Sequence, residues 1–255
     1  ASISNIIYSA EKPATNIKLI ASRYFSPRTD SELKDITLEV TIPVPKEDSG
    51  NKLTAWSMAI IDESGKVYKE YNQSNSALPP SEIVFDGTDE SGKLIPQGRY
   101  QAVVNASYLN GYVPAELKSP EFVMDTTKPS AQIGISNRIF GGAGKPDVTI
   151  SLLDEAAGKY AAVPSWKGRI YNAETGAVVR EYHFGQYLPE SIVWSGFDGT
   201  GKLAADAKYL FELSAVDLAG NKGVCVSTDD FTLDTKKASI LLSASESAFS
   251  PNGNK

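Results

Sequence analysis

Two stretches of the chain carry the glycine and lysine spacing from which phosphate-binding loops are built. Gly87 is followed by Gly92 and Lys93, and Gly196 by Gly201 and Lys202. In a working loop the backbone N–H groups and the lysine cradle phosphate oxygens, a following Ser or Thr binds magnesium, and a helix opens beneath the anion. Here Leu94 and Leu203 fill the Ser/Thr position, Asp89 and Glu90 place negative charge where phosphate would sit, and turn and strand residues follow. The spacing therefore points to turn chemistry, and no phosphate site is expected.

Calcium is a better match to the side chains present. Asp86, Asp89, Glu90 and Asp125, with Asp198, Asp217 and Asp234 further on, offer hard oxygens. Calcium takes 6 to 8 such ligands, and the tight Asp-x-Asp-x-Asp-Gly loop that gathers them does not occur here. Aspartate in a turn also caps its own backbone, which explains the same positions without metal. Nucleophilic catalysis lacks parts: His183 is the single histidine, Cys225 the single cysteine, and no Gly-x-Ser-x-Gly elbow occurs. Cys225 reads as a small, half-buried strand residue, and one cysteine rules out an intrachain disulfide. Paired carboxylates for glycoside hydrolysis stay open, although the acidic residues fall in turns or on polar strand faces. Trp56, Trp166, Trp194, Tyr100 and Tyr209 occupy apolar strand phases and read as core rather than as a sugar-stacking platform. Tyr108, Tyr112 and Tyr187 sit nearer turns, where a ligand surface would recruit them. No catalytic, cofactor-binding or metal-ligating residue is assigned, and no cofactor is expected.

The elements that position these residues form a repeat. Ile83-Val84-Phe85-Asp86-Gly87-Thr88-Asp89-Glu90-Ser91-Gly92-Lys93-Leu94, closed by Tyr100, returns 109 residues later as Ile192-Val193-Trp194-Ser195-Gly196-Phe197-Asp198-Gly199-Thr200-Gly201-Lys202-Leu203, closed by Tyr209. The same displacement carries Phe122 onto Phe231 and Lys128 onto Lys237, so one supersecondary plan is used twice, with no insertion expected across this stretch. Within each unit the apolar period is two. Ile36, Leu38, Val40 and Ile42 alternate with polar residues, and Asp147-Val148-Thr149-Ile150 repeats Asp35-Ile36-Thr37-Leu38. Hairpins are predicted around Gly65 and Gly176. The longest, central strands are expected at Tyr100 to Ala106 and Tyr209 to Ala215. No stretch of ten or more residues keeps a period of 3.6, so almost no helix is expected. Six or seven short strands per unit indicate an all-β fold of two tandem immunoglobulin-like β-sandwiches.

The run Phe85-Asp86-Gly87-Thr88-Asp89-x-x-Gly92-Lys93-Leu94, ending at Gly98-x-Tyr100, resembles the immunoglobulin-like repeat of the flagellar hook-capping protein family. Ala215-Val216-Asp217-Leu218-Ala219-Gly220-Asn221 and Asp125-Thr126-Thr127-Lys128-Pro129 are similar to segments of bacterial adhesin-type immunoglobulin-like domains. The second copy departs from the first pattern, with Ser195 in place of the aspartate and Ala207 in place of Gly98. The resemblance implies a fold and no chemistry.

Three junctions recur: Lys12-Pro13 leads to Ile17 and Phe25, Lys128-Pro129 to Ile133 and Phe140, Lys237-Ala238 to Leu242 and Phe249. Residues 1–24 read as a linker or the end of a preceding repeat, 25–133 and 134–243 as the two sandwiches, and 244–255 as the start of a further repeat. The chain opens at Ala1 with no charged segment ahead of an apolar core, and no apolar run approaches the roughly 20 residues of a bilayer span. That pattern fits a mature or internal segment of a longer protein. The net charge of −6 is scattered, with Glu63, Lys66, Lys69 and Glu70 interleaved, which disfavours nucleic acid or an anionic membrane as partner. The expected role is a non-catalytic structural or adhesive segment of a bacterial envelope or extracellular protein, located in the periplasm, on the cell surface or outside. The expected partners are other domains of the same array or a surface or envelope protein. The alternative is a carbohydrate- or protein-binding accessory module of a secreted enzyme or adhesin.

Overall fold

The computed structural model describes residues 9–20, 22–28, 30–46, 51–142, 144–155, 160–237 and 239–243. Every regular element among them is a β-strand, and the strands fall into four sheets around two separate cores. The chain is all-β and folds as two immunoglobulin-like sandwiches. The expectation for residues 244–255 lies outside the described residues.

In the first unit, β1 (Asn16–Ile20), β3 (Ile36–Thr41) and β6 (Glu82–Phe85) form one sheet. Facing it is a second, ordered β2 (Tyr24–Phe25), β9 (Phe122–Met124), β7 (Gly98–Tyr108), β4 (Leu53–Asp62) and β5 (Val67–Asn72), with β8 (Leu117–Lys118) also on β7. The second unit repeats this. β10 (Ala131–Ile135), β12 (Val148–Asp154) and β15 (Ser191–Trp194) face β11 (Ile139–Phe140), β18 (Phe231–Leu233), β16 (Ala207–Val216), β13 (Trp166–Asn172) and β14 (Val178–Phe184), with β17 (Lys222–Val226) on β16. Alternation decides which face is inside. Ile36, Leu38 and Val40 are buried from one sheet against Trp56, Met58, Ile60, Tyr100, Ala102 and Val104 from the other.

The stretch 1–24, read as a linker or the end of a preceding repeat, contains β1. Ile17 pairs with Val40 and Leu19 with Leu38, so residues 16–20 belong to the first sandwich. β10 likewise starts before residue 134 and pairs along β12. Both strands are short and lie beside the Lys-Pro junctions, and only their pairing partner shows which side of the junction they serve.

The constant displacement of 109 also conceals a slip. The Ser119 hydroxyl accepts the Ala102 N–H and the Ser227 hydroxyl accepts that of Phe211. Ala102 and Phe211 are 109 apart, but the two serines are 108 apart. One copy has therefore lost a residue before the serine and regained one after it. Both serines are buried where the last strand breaks, β8 from β9 and β17 from β18. There they satisfy a central-strand N–H that the broken strand leaves free.

Candidate functional site

The recurring loop is a closure over an aromatic cluster. Phe25, Phe85 and Phe122 meet with ring centres 6.0 to 6.4 Å apart, and Phe140, Trp194 and Phe231 repeat the group at 5.3 to 6.3 Å. Tyr100 and Tyr209 complete each cluster, and their hydroxyls donate to the carbonyls of Pro96 and Ala205 four residues upstream. This is the tyrosine corner that fixes the turn into a sandwich strand. Burial pushes both phenols above their ordinary pKa. Gly87 and Gly196 have φ of 78° and 90°, and a Cβ at either would come within 3.0 Å of Met124 or Leu233. Glycine is required there by both conformation and space.

The amides that a phosphate would need are occupied. Asp89 Oδ1 accepts the Ser91 N–H, the Ser91 hydroxyl and the Lys93 N–H. Asp198 Oδ1 repeats this with the Thr200 N–H, the Thr200 hydroxyl and the Lys202 N–H. These bonds, led by the serine or threonine hydroxyl, hold both carboxyls below the usual aspartate range. Asp86 in turn accepts from Thr88 and from Lys69. Where Ser195 replaces it, Arg180 of β14 donates instead to the Asp198 carbonyl. Beside this second loop an open groove of about 700 Å³ runs past Val178, Arg180, Asp198 and Ala204. Its arginine and its aspartate are both committed to the loop.

The other candidates are dispersed. Among the described residues no group of three or more His, Cys, Asp or Glu side chains comes together to hold a metal ion. His183 is exposed on β14, opposite Lys167 of β13. Cys225 is half-buried on β17, and its sulfur accepts the Ala131 N–H. Trp56, Trp166 and Trp194 are all buried, so they form no stacking platform. Tyr108, one of three tyrosines that a ligand surface would recruit, is buried. Its hydroxyl donates to the Pro43 carbonyl and its ring stacks on half-buried Tyr112. Tyr187 is 81% exposed, in the other unit. No helix among the described residues is long and apolar enough to cross a membrane.

What the structure does bring together is a polar joint between the units. Asn221, 1% exposed, follows β16. Its Oδ1 accepts from the Ser26 hydroxyl at 2.7 Å, and its Nδ2 donates to the Asp125 carbonyl at 2.8 Å and to Asp217 Oδ2 at 2.9 Å. Asp125, also 1% exposed, takes the Thr127 N–H on Oδ1 and the Ala161 N–H of the second unit on Oδ2. The Ser31 hydroxyl donates to the Ala219 carbonyl. Asp217 Oδ1 caps its own turn by accepting from the N–H groups of Ala219 and Asn221. Burial pushes the Asp217 carboxyl up, aided by the nearby Asp125 charge and opposed by the Asn221 hydrogen bonds. At Gly223 an added Cβ would sit 2.0 Å from the Pro129 carbonyl oxygen, so β17 lies directly against the connecting segment.

The first unit grips its own incoming chain in the same way. Asn110 Nδ2 donates to the Ser9 and Glu11 carbonyls. The two asparagines stand at different places in equivalent loops, since Asn110 corresponds to Ala219 and Asn221 to Tyr112. Their shared role cannot be found by aligning the copies. The adhesin-like Asp-Leu-Ala-Gly-Asn stretch was the available signal, because Asp and Asn flanking a Gly mark a tight turn with spare polar groups.

No family model matches the chain, and a search of curated proteins finds no match. Solved structures that are similar include a tetra-tandem repeat from the extending region of a large adhesion protein. It is 17% identical over 88% of this chain and 50% of that one, with a TM-score of 0.34, so the chain spans half its length. The fibronectin(III)-like modules of Clostridium thermocellum CbhA are 13% identical over 87% of this chain and 94% of that one, TM-score 0.34. A solved chain from a study of a 1.5-MDa bacterial ice-binding adhesin is 16% identical over 89% of this chain and 67% of that one, TM-score 0.41. No residue role or activity is transferred from likenesses this distant.

Proposed function

We propose that the chain is a non-catalytic tandem-repeat spacer in a larger bacterial envelope or extracellular protein, holding other domains at a set distance and orientation. The observation that supports this is the Asn221 joint. A flexible connection would leave the facing loops wet, whereas here Ser26, Ser31, Asp125, Asp217 and Asn221 are all buried with hydrogen-bond partners. Such groups are tolerated inside only when each is satisfied, so the arrangement favours one relative placement of the units. Units divided between β9 and β10, at residues 125–130, follow from the same reading. Its location would be the periplasm, the cell surface or the medium.

The test is the distribution of distances between spin labels on exposed strand positions, one per unit, such as Val84 and Val193. A single narrow distribution is expected. A broad one, like that of two sandwiches on a free six-residue tether, would refute the rigid spacer.

A further inference from the structure

Ile240, Leu241 and Leu242 are 84%, 95% and 89% exposed. Three consecutive large apolar side chains in water are not the pattern of a finished surface. Their counterparts at the earlier junctions are covered. Counting from Lys12, Lys128 and Lys237, the fifth residue on is Ile17, Ile133 and Leu242. Ile17 is buried within β1 against β3, and Ile133 packs within β10 against β12. Two places earlier, Ala131 is buried where Ile240 stands exposed. Residues 239–243 thus have the apolar phase of a sandwich's first strand while being paired to no strand among the described residues.

The adjoining face of the second unit is built like the face on which the second unit itself sits. The Asp234 N–H donates to the Phe140 carbonyl as that of Asp125 does to Phe25. Thr235 donates through N–H and hydroxyl to Asp206, as Thr126 does to Gln97. Asp234 Oδ1 accepts the Lys236 N–H, as Asp125 Oδ1 accepts that of Thr127. In the first unit the remaining acceptors, the Asp125 carbonyl and Oδ2, are taken by Asn221 and Ala161 of the following unit. In the second, Asp234 Oδ2 faces the Lys145 ammonium at 3.4 Å, a pair open to solvent on both sides.

We propose that residues 239–243 and the face around Asp234 form the docking surface for a further copy of the same sandwich. Residues 239–243 pair antiparallel with that copy's equivalent of β3 and β12, burying Ile240 and Leu242. The Asp234 carbonyl and Oδ2 receive N–H groups from two of its loops, with Lys145 swinging aside. Gly141 stands where Ser26 does, so this joint lacks the hydroxyl that keys Asn221. The proposal rests on the tandem-repeat reading above.

The test is an extended chain in which residue 243 runs directly into a second copy of residues 135–237, so that only 239–243 is available as the added unit's first strand. A control chain carries the added unit with its own first strand, 131–237. The added unit is expected to fold in both. In the test chain the amides of residues 240–242 should exchange about 100-fold more slowly than in the original chain. Leu242→Asp should abolish that protection, and Leu241→Asp, on the opposite phase, should retain it. The proposal is overturned if the control folds its added unit and the test chain does not, or if the amides of 240–242 stay unprotected beside a folded unit. Binding of the original chain to phosphatidylcholine vesicles through Leu242 would also overturn it, in favour of a lipid surface. Label distances between the first two units, measured in the same chain, report separately on the rigid-spacer reading.

Discussion

Replacing Asn221 by alanine should uncouple the two units while leaving each folded. The side chain makes three hydrogen bonds, two of which cross the joint, to the Ser26 hydroxyl and the Asp125 carbonyl. The third, to Asp217, lies within the second unit. Removing a partner from a buried polar group costs about 1 to 3 kcal/mol, so two stranded groups at the joint weaken docking by about 2 to 6 kcal/mol. At 1.4 kcal/mol per factor of ten, the docked population falls roughly 30- to 20,000-fold relative to the undocked one. Three readouts should move together. The label-distance distribution broadens, the Ala161 N–H exchanges faster because its acceptor Asp125 has moved away, and a single thermal transition splits in two. Ser26→Ala should give a smaller change of the same kind. The double variant should fall short of the sum of the singles, because both report one bond. An Asn221→Ala protein with an unchanged distance distribution and a slowly exchanging Ala161 amide would refute the assignment of the joint to this side chain.

Gly223→Ala places a methyl on the Pro129 carbonyl and should cost about 1 to 3 kcal/mol by overpacking. Gly176→Ala, at φ 71° in open space, should cost about 1 to 2 kcal/mol from backbone conformation alone. Chemical denaturation ranks the two, and only the Gly223 variant should broaden the label distances. Acid should destabilise the protein below about pH 4. Asp30, held at about 2 by its hydrogen bond from Lys128, and Asp89 and Asp198, held below 3.8 by their turns, contribute stability that is present above the unfolded value and lost as pH falls through the folded one. Asp217 has the opposite sign, because its raised folded pKa makes the ionised form a cost that is relieved as pH falls toward 3.8. Melting temperature against pH should therefore drop between pH 4 and 2, and Asp198→Asn should shallow that drop; a flat curve would contradict the turn-capping role. Excess calcium should leave the melting temperature unmoved. A site bound at 100 times its Kd would add about 2.7 kcal/mol, an effect too large to miss.

Much of the fold was legible because its causes are local. Period-two alternation at Ile36, Leu38 and Val40 marks a half-buried strand whatever it packs against, and the long strands expected from Tyr100 and Tyr209, β7 and β16, lie inside their sheets. The phosphate-loop spacing has a local cause of its own, since Asp89 and Asp198 satisfy the amides that an anion would use. Two features were not legible, for one reason. Residues 16–20 read as part of a linker or the end of a preceding repeat, and Tyr108 as a residue that a ligand surface would recruit, because a short strand and a tyrosine near a turn look the same whether or not something covers them. What covers them, β3 in one case and the Pro43 carbonyl in the other, is distant in the chain.

By itself the sequence determined a module and its doubling: alternating strands, glycines where the chain must turn with positive φ, and a tyrosine to close each loop. Those demands act within a dozen residues and leave a signature wherever they recur. The joint was decided only by tertiary structure. Ser26 and Asn221 are 195 residues apart and Asp125 and Asn221 are 96 apart, in loops whose local patterns are satisfied without one another. Their meeting depends on how two finished sandwiches present their ends. The same asparagine function is met from different loop positions in the two units, so the contact is set by shape and by the need to satisfy buried polar groups, which no repeat spacing encodes.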